Sequence, residues 1–350
     1  MLKQITEGNA ILKAHLGKIS KDLPVFYNPA MELNRTISVV LLKATQRQGL
    51  QIGLPLSGSG IRAIRLMKEL DKSQIKKISI NDLSKQAIKS INTNLKLNKI
   101  PKSKVSVSNR EANLFILASK GFDYIDIDPF GSPNPFLDSA TRRLARNSIL
   151  AVTATDTAAL CGTHPKACTR KYFAHHTKNP LMHELALRIL IRKVQLIASQ
   201  YDRALTPIFS YSKEHYMRIF FSCQKSKQAV DKIHKQHSFF NEFGPLWAGP
   251  LWDKKLTREM IKILPDNKFL QRIAEESQID QLGFHHIHAI CKTYKCKVPS
   301  KEKLFNAITK KGYAVSLTHF TPAGIRSEIP KSELIKIIKK EHKNAMSKIN

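Results

Sequence analysis

Five short apolar runs, with helix-like patterns between them, constrain this chain more than any other feature of its sequence. Residues 50–56 (LQIGLPL), 76–82 (KKISIND), 103–109 (SKVSVSN), 122–129 (FDYIDIDP) and 148–155 (SILAVTAT) each have the length and apolar content of a buried strand. The segments 61–70, 84–98 and 134–145 carry the 3.6-residue period of amphipathic helices. Strand and helix in alternation predict a parallel sheet with right-handed crossovers. A further amphipathic helix is expected over 181–200. Beyond it, RALTPIFSYS (203–212) and YMRIFFSC (216–223), separated by Lys213, Glu214 and His215, read as an antiparallel hairpin. Periodicity alone gives α/β. The closing hairpin favours the Rossmann-like sheet of class I methyltransferases over that of dehydrogenases.

After residue 225 the composition changes. Turn signals and both tryptophans come first, then three short helical patterns, a strand at YAVSLTHF and a lysine-rich tail. The expected organisation is a catalytic α/β domain over 1–225 and a smaller C-terminal α+β, winged-helix-like domain over 226–350.

Lysine and arginine total 58 against 27 acidic residues, a formal charge of +31. Such an excess points to a polyanionic partner, DNA or RNA, although a lysine-rich proteome would also produce it. The five cysteines form no C-x-x-C pair, which fits a reducing compartment. No apolar run approaches the ~20 residues of a membrane span. The N-terminus MLKQITEGNA has no signal-peptide h-region. The expectation is a cytoplasmic protein.

Three features point to a nucleotide cofactor. PLSGSGIRAIR (55–65) follows the first strand and opens a helix. Gly58 and Gly60 would let backbone N–H groups approach a ligand, or would simply make the turn, since the third glycine of the dinucleotide fingerprint is missing. Asp82 ends the next strand, where a carboxylate can accept from both ribose hydroxyls. Glu111 and Ala112, after the third strand, are placed to meet an adenine, although Glu111 would equally serve as a helix N-terminal charge.

The fourth strand ends in DYIDIDPFGSPNPF (123–136). In an open parallel sheet, ligands bind beyond the carboxyl ends of the strands, where Asp128 stands. An exocyclic base amine is a poor nucleophile because its lone pair is delocalised into the ring. A carboxylate and a backbone carbonyl accepting its two N–H groups would localise that lone pair and aim it at a methyl donor. Pro129 stiffens the turn, Phe130 can stack on a base, and Asp126 shares the face of Asp128. Asp-Pro followed by an aromatic is similar to the [DN]-P-P-[FYW] motif of amino-methyltransferases. Arg142, Arg143, Arg146, Arg170 and Lys171 are expected to flank the pocket mouth and contact phosphates.

The stretch DYIDIDPFGSPNPFLDSA closely resembles the hallmark of the tRNA guanine-26 N2-dimethyltransferases, in their archaeal form. ITEGNA, VFYNPAMELNRTISV, LPLSGSGIRAIRL, TATDTAALCGTHPKACTRKY, GPLWAGPL and GYAVSLTHFTPAGIRSEIP resemble further motifs of that family, so the likeness spans nearly the whole chain. It implies S-adenosylmethionine as donor and a tRNA guanine N2 as acceptor, with one or two transfers. It also implies cofactor contacts from Arg35 and Arg62, ribose binding by Asp82, an adenine frame from Glu111 and Ala112, and catalysis by Asp128 beside Pro129 and Phe130. Phe26 and Tyr27 would pack beside the cofactor.

Some members carry four paired cysteines before GPLW. Here residues 224–243 contain none, so that zinc site is expected to be absent. His285, His288 and Cys291, and CGTHPKAC (161–168), mimic metal spacings without a fourth ligand. The same amine chemistry would serve an adenine-N6 or rRNA guanine methyltransferase, and a non-catalytic RNA-binding protein with a vestigial cofactor fold is a third reading.

Overall fold

The chain opens with a hairpin that the sequence reading does not contain. In the computed structural model, which describes residues 2–15 and 25–346, β1 (Leu2–Glu7) and β2 (Ala10–His15) pair antiparallel around Gly8 and Asn9. Gly8 takes φ +52°, as such a turn requires. The hairpin lies on the helical layer: Asn94 Oδ1 accepts from Lys13 N and Asn98 Oδ1 from Ile11 N, both at 2.9 Å.

The expected alternation follows. It runs α1 (Glu32–Ala44), β3 (Leu50–Leu54), α2 (Ile61–Glu69), β4 (Ile75–Asn81), α3 (Lys85–Leu97), β5 (Val105–Ser108), α4 (Ala112–Leu117), β6 (Phe122–Ile127), α5 (Asn134–Arg142) and β7 (Leu144–Ala154). After α6 (Thr157–Leu160), α7 (Pro165–Tyr172) and the long α8 (Met182–Ser199) come β8 (Arg203–Lys213) and β9 (Tyr216–Lys225). One seven-stranded sheet results, in the order β5-β4-β3-β6-β7-β9-β8. The first five of these strands are parallel, and β9 pairs antiparallel with both β7 and β8. This is the α/β Rossmann-like methyltransferase fold. Ile52, Leu54, Ile78, Ile80, Ile125 and Ile127 are buried between the helical layers, which is why the central strands read as continuous apolar runs.

From β3 the chain winds outward through β4 to β5, then crosses back to lay β6 on the other side of β3. The crevice between the carboxyl ends of β3 and β6 is therefore the switch point of the sheet, where ligands bind in such folds.

The later elements are α9 (Lys227–His234), a hairpin of β10 (His237–Phe240) and β11 (Phe243–Trp247), α10 (Lys254–Ile263) and α11 (Lys268–Glu276). The hairpin, α9 and α10 were not legible as elements in the sequence. There is no break in packing at residue 225. Trp247, Trp252, Met260 and Leu270 join the same hydrophobic core as the sheet. Trp252 Nε1 donates to Ser210 O at 2.8 Å, and Arg188 Nη1 to Trp247 O at 3.0 Å. A second core begins at Ile287. It is built from β12 (His285–His286), α12 (Ile287–Thr293), α13 (Lys301–Lys310), β13 (Ser316–Leu317), β14 (Gly324–Arg326) and α14 (Lys331–Met346), with sheet order β12-β14-β13.

Candidate functional site

A cavity of about 810 Å³ opens at the switch point, within the size range of small-molecule sites. Four chain segments converge on it: the loop after β3, Asp82 after β4, Asp128–Phe130 after β6, and the stretch 25–31 before α1. The β8–β9 turn adds Glu214, His215 and Tyr216.

Gly58 is required on two counts. Its φ is +52°, and a Cβ would lie 2.9 Å from Phe26 O, so a side chain would push apart the two walls that meet there. Its N–H donates to Asp82 Oδ2 at 2.8 Å, while Ser84 N donates to Asp82 Oδ1 at 2.9 Å. Two backbone donors thus fix the Asp82 carboxylate at the rim, and each oxygen keeps a lone pair for a ligand hydroxyl. Gly60, at φ +81°, caps α2, whose first turn presents Arg62. Asn81 knits the site from below: its Nδ2 donates to Pro55 O and Arg110 O, joining the loops after β3 and β5.

Asp128 lines the cavity with its side chain about one-fifth exposed. Oδ2 accepts from Arg62 Nη2 at 2.5 Å. Arg62 also donates to Ser38 Oγ and Asn34 Oδ1, both at 2.8 Å, and stands 3.3 Å from Asp126 Oδ2. Asp126 is fully buried and gripped by Arg218 of β9 through both oxygens, at 2.7 and 2.6 Å. Burial alone would raise the Asp126 carboxyl. The Arg218 and Arg62 charges outweigh it and hold the group below its usual range. Tyr124, buried and donating to Asp126 Oδ2 at 2.6 Å, has its phenol pushed up by burial and by that carboxylate. Two carboxylates and two guanidiniums balance here; Arg62, Asp126 and Asp128 all line the cavity, and Asp128 is the more exposed of the two carboxylates.

The loop carrying Pro129 and Phe130 is clamped at its far end. Gly131 N donates to Thr155 Oγ1 at 2.7 Å and Thr155 N to Gly131 O at 2.9 Å. Ser132 Oγ is 3.0 Å from Tyr172 Oη, which donates to Asp156. Phe130 is 58% exposed and meets Phe26 edge-on at 4.4 Å between centroids, forming an aromatic rim.

The structure does not bring every expected residue to the cavity. Arg35 lies in its wall, yet its guanidinium is committed to Glu7, with Nε to Oε1 at 2.7 Å and Nη2 to Oε2 at 2.5 Å. Tyr27 Oη also donates to Glu7, at 3.0 Å. Glu111 caps α4, accepting from Leu114 N at 2.9 Å, and neither it nor Ala112 lines the cavity. The charge at a helix N-terminus is thus its observed role. Arg142, Arg143 and Arg146 do not flank the mouth. Helix α5 runs back against the strands and returns the chain to their amino ends, where Arg143 O accepts from Phe122 N at the start of β6. Arg170 and Lys171, after β7, stay on the cavity side, where Lys171 pairs with Asp156 at 3.3 Å. Among the described residues, no cluster of three or more His, Cys, Asp or Glu is placed to hold a metal. His285 instead bonds Ile329 O, and the five cysteines are free.

The model of the "N2,N2-dimethylguanosine tRNA methyltransferase" family matches residues 4–242 and 236–339. The chain belongs to that family. Among similar curated proteins, the tRNA (guanine(26)-N(2)/guanine(27)-N(2))-dimethyltransferase of Aquifex aeolicus is 37% identical over 91% of this chain and 90% of its own length. The tRNA (guanine(26)-N(2))-dimethyltransferase of Methanocaldococcus jannaschii is 34% identical, over 91% and 94%. Trm1 from Pyrococcus horikoshii, solved with S-adenosyl-L-methionine, matches with a TM-score of 0.87 and 32% identity, covering 96% of this chain and 100% of that one.

Sequence reading missed several members of the site. Arg218 and Glu7 act from strands distant in sequence by holding the lining residues Asp126 and Arg35, a role that only these partners give them. Glu214, His215 and Tyr216 were visible only as a hairpin turn. The segment 25–31 lies within VFYNPAMELNRTISV (25–39), which resembles a family motif. Its physical signal is the Asn28-Pro29 start of a 3-10 turn, in which the Asn28 side chain accepts from Ala30 N at 2.9 Å.

Proposed function

We infer that Asp128 holds the N2 amine of a tRNA guanine in this cavity, and that Arg62, Asp82 and the Gly58–Gly60 loop hold the methyl donor beside it. The chain is an S-adenosylmethionine-dependent methyltransferase acting on N2 of guanine 26 in tRNA, as its family membership and relatives indicate. The observation that carries the residue assignment is the placement of Asp128. Asp126 and Asp128 both line the cavity, but Asp126 is buried with both oxygens taken by Arg218, whereas Asp128, just past β6, is partly exposed and stands across the switch point from the glycine turn.

The cavity fits the cofactor on this chain's own terms. At Gly58 the backbone comes so close to Phe26 that no side chain fits, and Asp82 offers fixed acceptors where a ribose would lie. When bound, S-adenosylmethionine supplies an electrophilic methyl group on a sulfonium. Asp128 accepts an N–H of the guanine amine, localises its lone pair and takes up the proton that the amine sheds on methylation. Arg62 fixes the rotamer of that carboxylate through Oδ2, leaving Oδ1 for the amine. Pro129 contributes a carbonyl to the second N–H, and Phe130 and Phe26 face the purine ring. A guanine inside the folded tRNA reaches this site only by leaving its stack.

In this reading residues 1–225 carry the chemistry and the elements of 226–350 grip the RNA, those from Ile287 onward as a winged-helix-like module with its own core. Arg170 and Lys171 contact phosphates near the mouth. Among the described residues, no helix is long and apolar enough to cross a membrane. A tRNA substrate supports a cytoplasmic location in this reading.

The test is incubation of the protein with S-adenosylmethionine and unmodified tRNA, followed by mapping of the methylated nucleoside. N2-methylated guanosine at position 26 is expected. The Asp128→Ala variant should lose methylation by ~100-fold or more while still binding cofactor. Methyladenosine as product, or wild-type turnover in that variant, would overturn the reading.

A further inference from the structure

Helix α7 ends on a residue that the fold itself does not ask for. Phe173 caps it in the left-handed region, at φ 54° and ψ 42°, with its N–H bonded to Thr169 O at 3.0 Å. This position favours glycine, and a bulky aromatic side chain there is an outlier. The ring gains no burial in return, being 62% exposed. A strained backbone carrying an exposed phenyl ring is a cost to the isolated protein on both counts, and residues of this kind cluster at functional sites.

The surroundings name the chemistry of what covers it. Lys193 Nζ stands 4.5 Å from the ring centroid, over one face. Arg192 reaches the Phe173 carbonyl at 3.5 Å, and its buried Nε has no hydrogen-bond partner among the described residues. Exposed Arg170 and Lys171 precede the ring by three and two positions on α7. The carboxylate in this group, Asp156, is engaged by Lys171 and Tyr172. One open aromatic face amid four cations is the composition of a site for a stacked base and its phosphates.

The patch is also continuous with the catalytic loop. Asn134 Nδ2 donates to Lys171 O at 2.9 Å, and Tyr172 Oη is 3.0 Å from Ser132 Oγ. The two residues before Phe173 are therefore bonded to the loop that carries Pro129 and Phe130.

We propose that Phe173 is a stacking platform for an unstacked tRNA base near the target guanine, with Arg170, Arg192 and Lys193 holding the adjoining phosphates. The proposal rests on the tRNA-methyltransferase reading above and adds a second base subsite to it. Pulling one base into the cavity leaves its neighbours without a stacking partner, and an exposed ring fastened to the same loop replaces that partner. Lys193 covers the inner face, and the base takes the outer one.

The experiment compares Phe173→Ala, Phe173→Trp and Phe173→Gly in the full-length enzyme. Affinity for unmodified tRNA is measured at fixed salt, together with S-adenosylmethionine affinity and Tm. Loss of one base–aromatic stack should weaken tRNA binding by ~5- to ~100-fold in the alanine variant. Tryptophan should stay within ~2-fold of wild type. Glycine should raise Tm by relieving the left-handed strain while weakening tRNA binding as alanine does, and cofactor affinity should not move in any of them. Equal tRNA affinity in wild type and Phe173→Ala overturns the proposal, as does a glycine variant that is less stable than wild type. Absence of tRNA binding by the wild-type enzyme would instead sink the function reading, so the two failures are distinguishable.

Discussion

Arg62 stands between the two carboxylates at the end of β6, with Nη2 2.5 Å from Asp128 Oδ2 and Nη1 3.3 Å from Asp126 Oδ2. Its position is settled by a residue it does not touch in either pair. Arg218 takes both oxygens of Asp126 and so leaves Arg62 free to favour Asp128. The carboxylate we assign to the chemistry is thus oriented by a charge balance that extends one strand further into the core.

Replacing Arg218 should therefore act on both stability and turnover. In Arg218→Met, buried Asp126 loses its bidentate partner, a change that typically costs roughly 3–5 kcal/mol. Arg62 is then drawn toward Asp126 and away from Asp128. The double variant Arg218→Met/Asp126→Asn removes one charge of each sign and leaves Arg62 with Asp128. Thermal unfolding and methylation kinetics should show the single variant losing both Tm and kcat, and the double variant recovering much of each. A double variant no better than the single would mean that Arg218 acts by packing alone.

Gly58 gives a separate handle on the cofactor side. In Gly58→Ala, the new Cβ meets Phe26 O at 2.9 Å in a left-handed backbone. The strain itself is worth about 1–2 kcal/mol, and the displaced 25–28 segment widens the wall. Calorimetric titration should show S-adenosylmethionine affinity falling by ~10-fold or more, with a modest drop in Tm. Unchanged cofactor affinity would show that this turn shapes the helix and not the ligand site.

The parts of this protein that were legible in its sequence are those whose signals are local. Residues 50–54 and 122–127 announce buried parallel strands because both of their faces are covered. Asp82 and Asp128 stand out because a charge at the end of such a strand points beyond the sheet. The spacing of Arg142, Arg143 and Arg146 from Asp128 does not say which end of the next strand they occupy, and α5 carries the chain back to the amino ends. The turn at Gly8–Asn9, flanked by alternating residues, is a hairpin signal of the same local kind. The roles of Glu7 and Arg218 are not local, since each acquires its meaning only from partners brought together by folding. The packing of Trp247 and Trp252 into the first core is likewise a long-range fact, although both lie beyond a clear shift in composition.

The C-terminal elements are held to the catalytic core by a second buried charge network, and its pH dependence can be stated with its sign. Arg326 of β14 bridges Glu184 of α8, at 2.6 Å, and Glu276 of α11, at 2.9 Å. His319 Nδ1 is 2.6 Å from Glu276 and Thr318 Oγ1 donates to it. Burial would raise the Glu276 carboxyl, but His319, Arg326 and the Thr318 hydrogen bond lower it from 4.5 to about 2. A carboxyl whose folded value is depressed contributes stability that is complete above its unfolded value and is lost as the pH falls toward the folded one. The relevant window is therefore pH 4.5 down to about 2. Glu276→Gln should be less stable than wild type near neutral pH by roughly 3–5 kcal/mol, because Arg326 loses a buried partner. As the pH falls through that window, wild type loses the contribution and the variant has none to lose, so the gap between them should narrow. Denaturant unfolding of both proteins from pH 7 to pH 3 measures this directly. A gap that stays constant or widens on acidification would show that the Glu276 charge does not hold the two parts together.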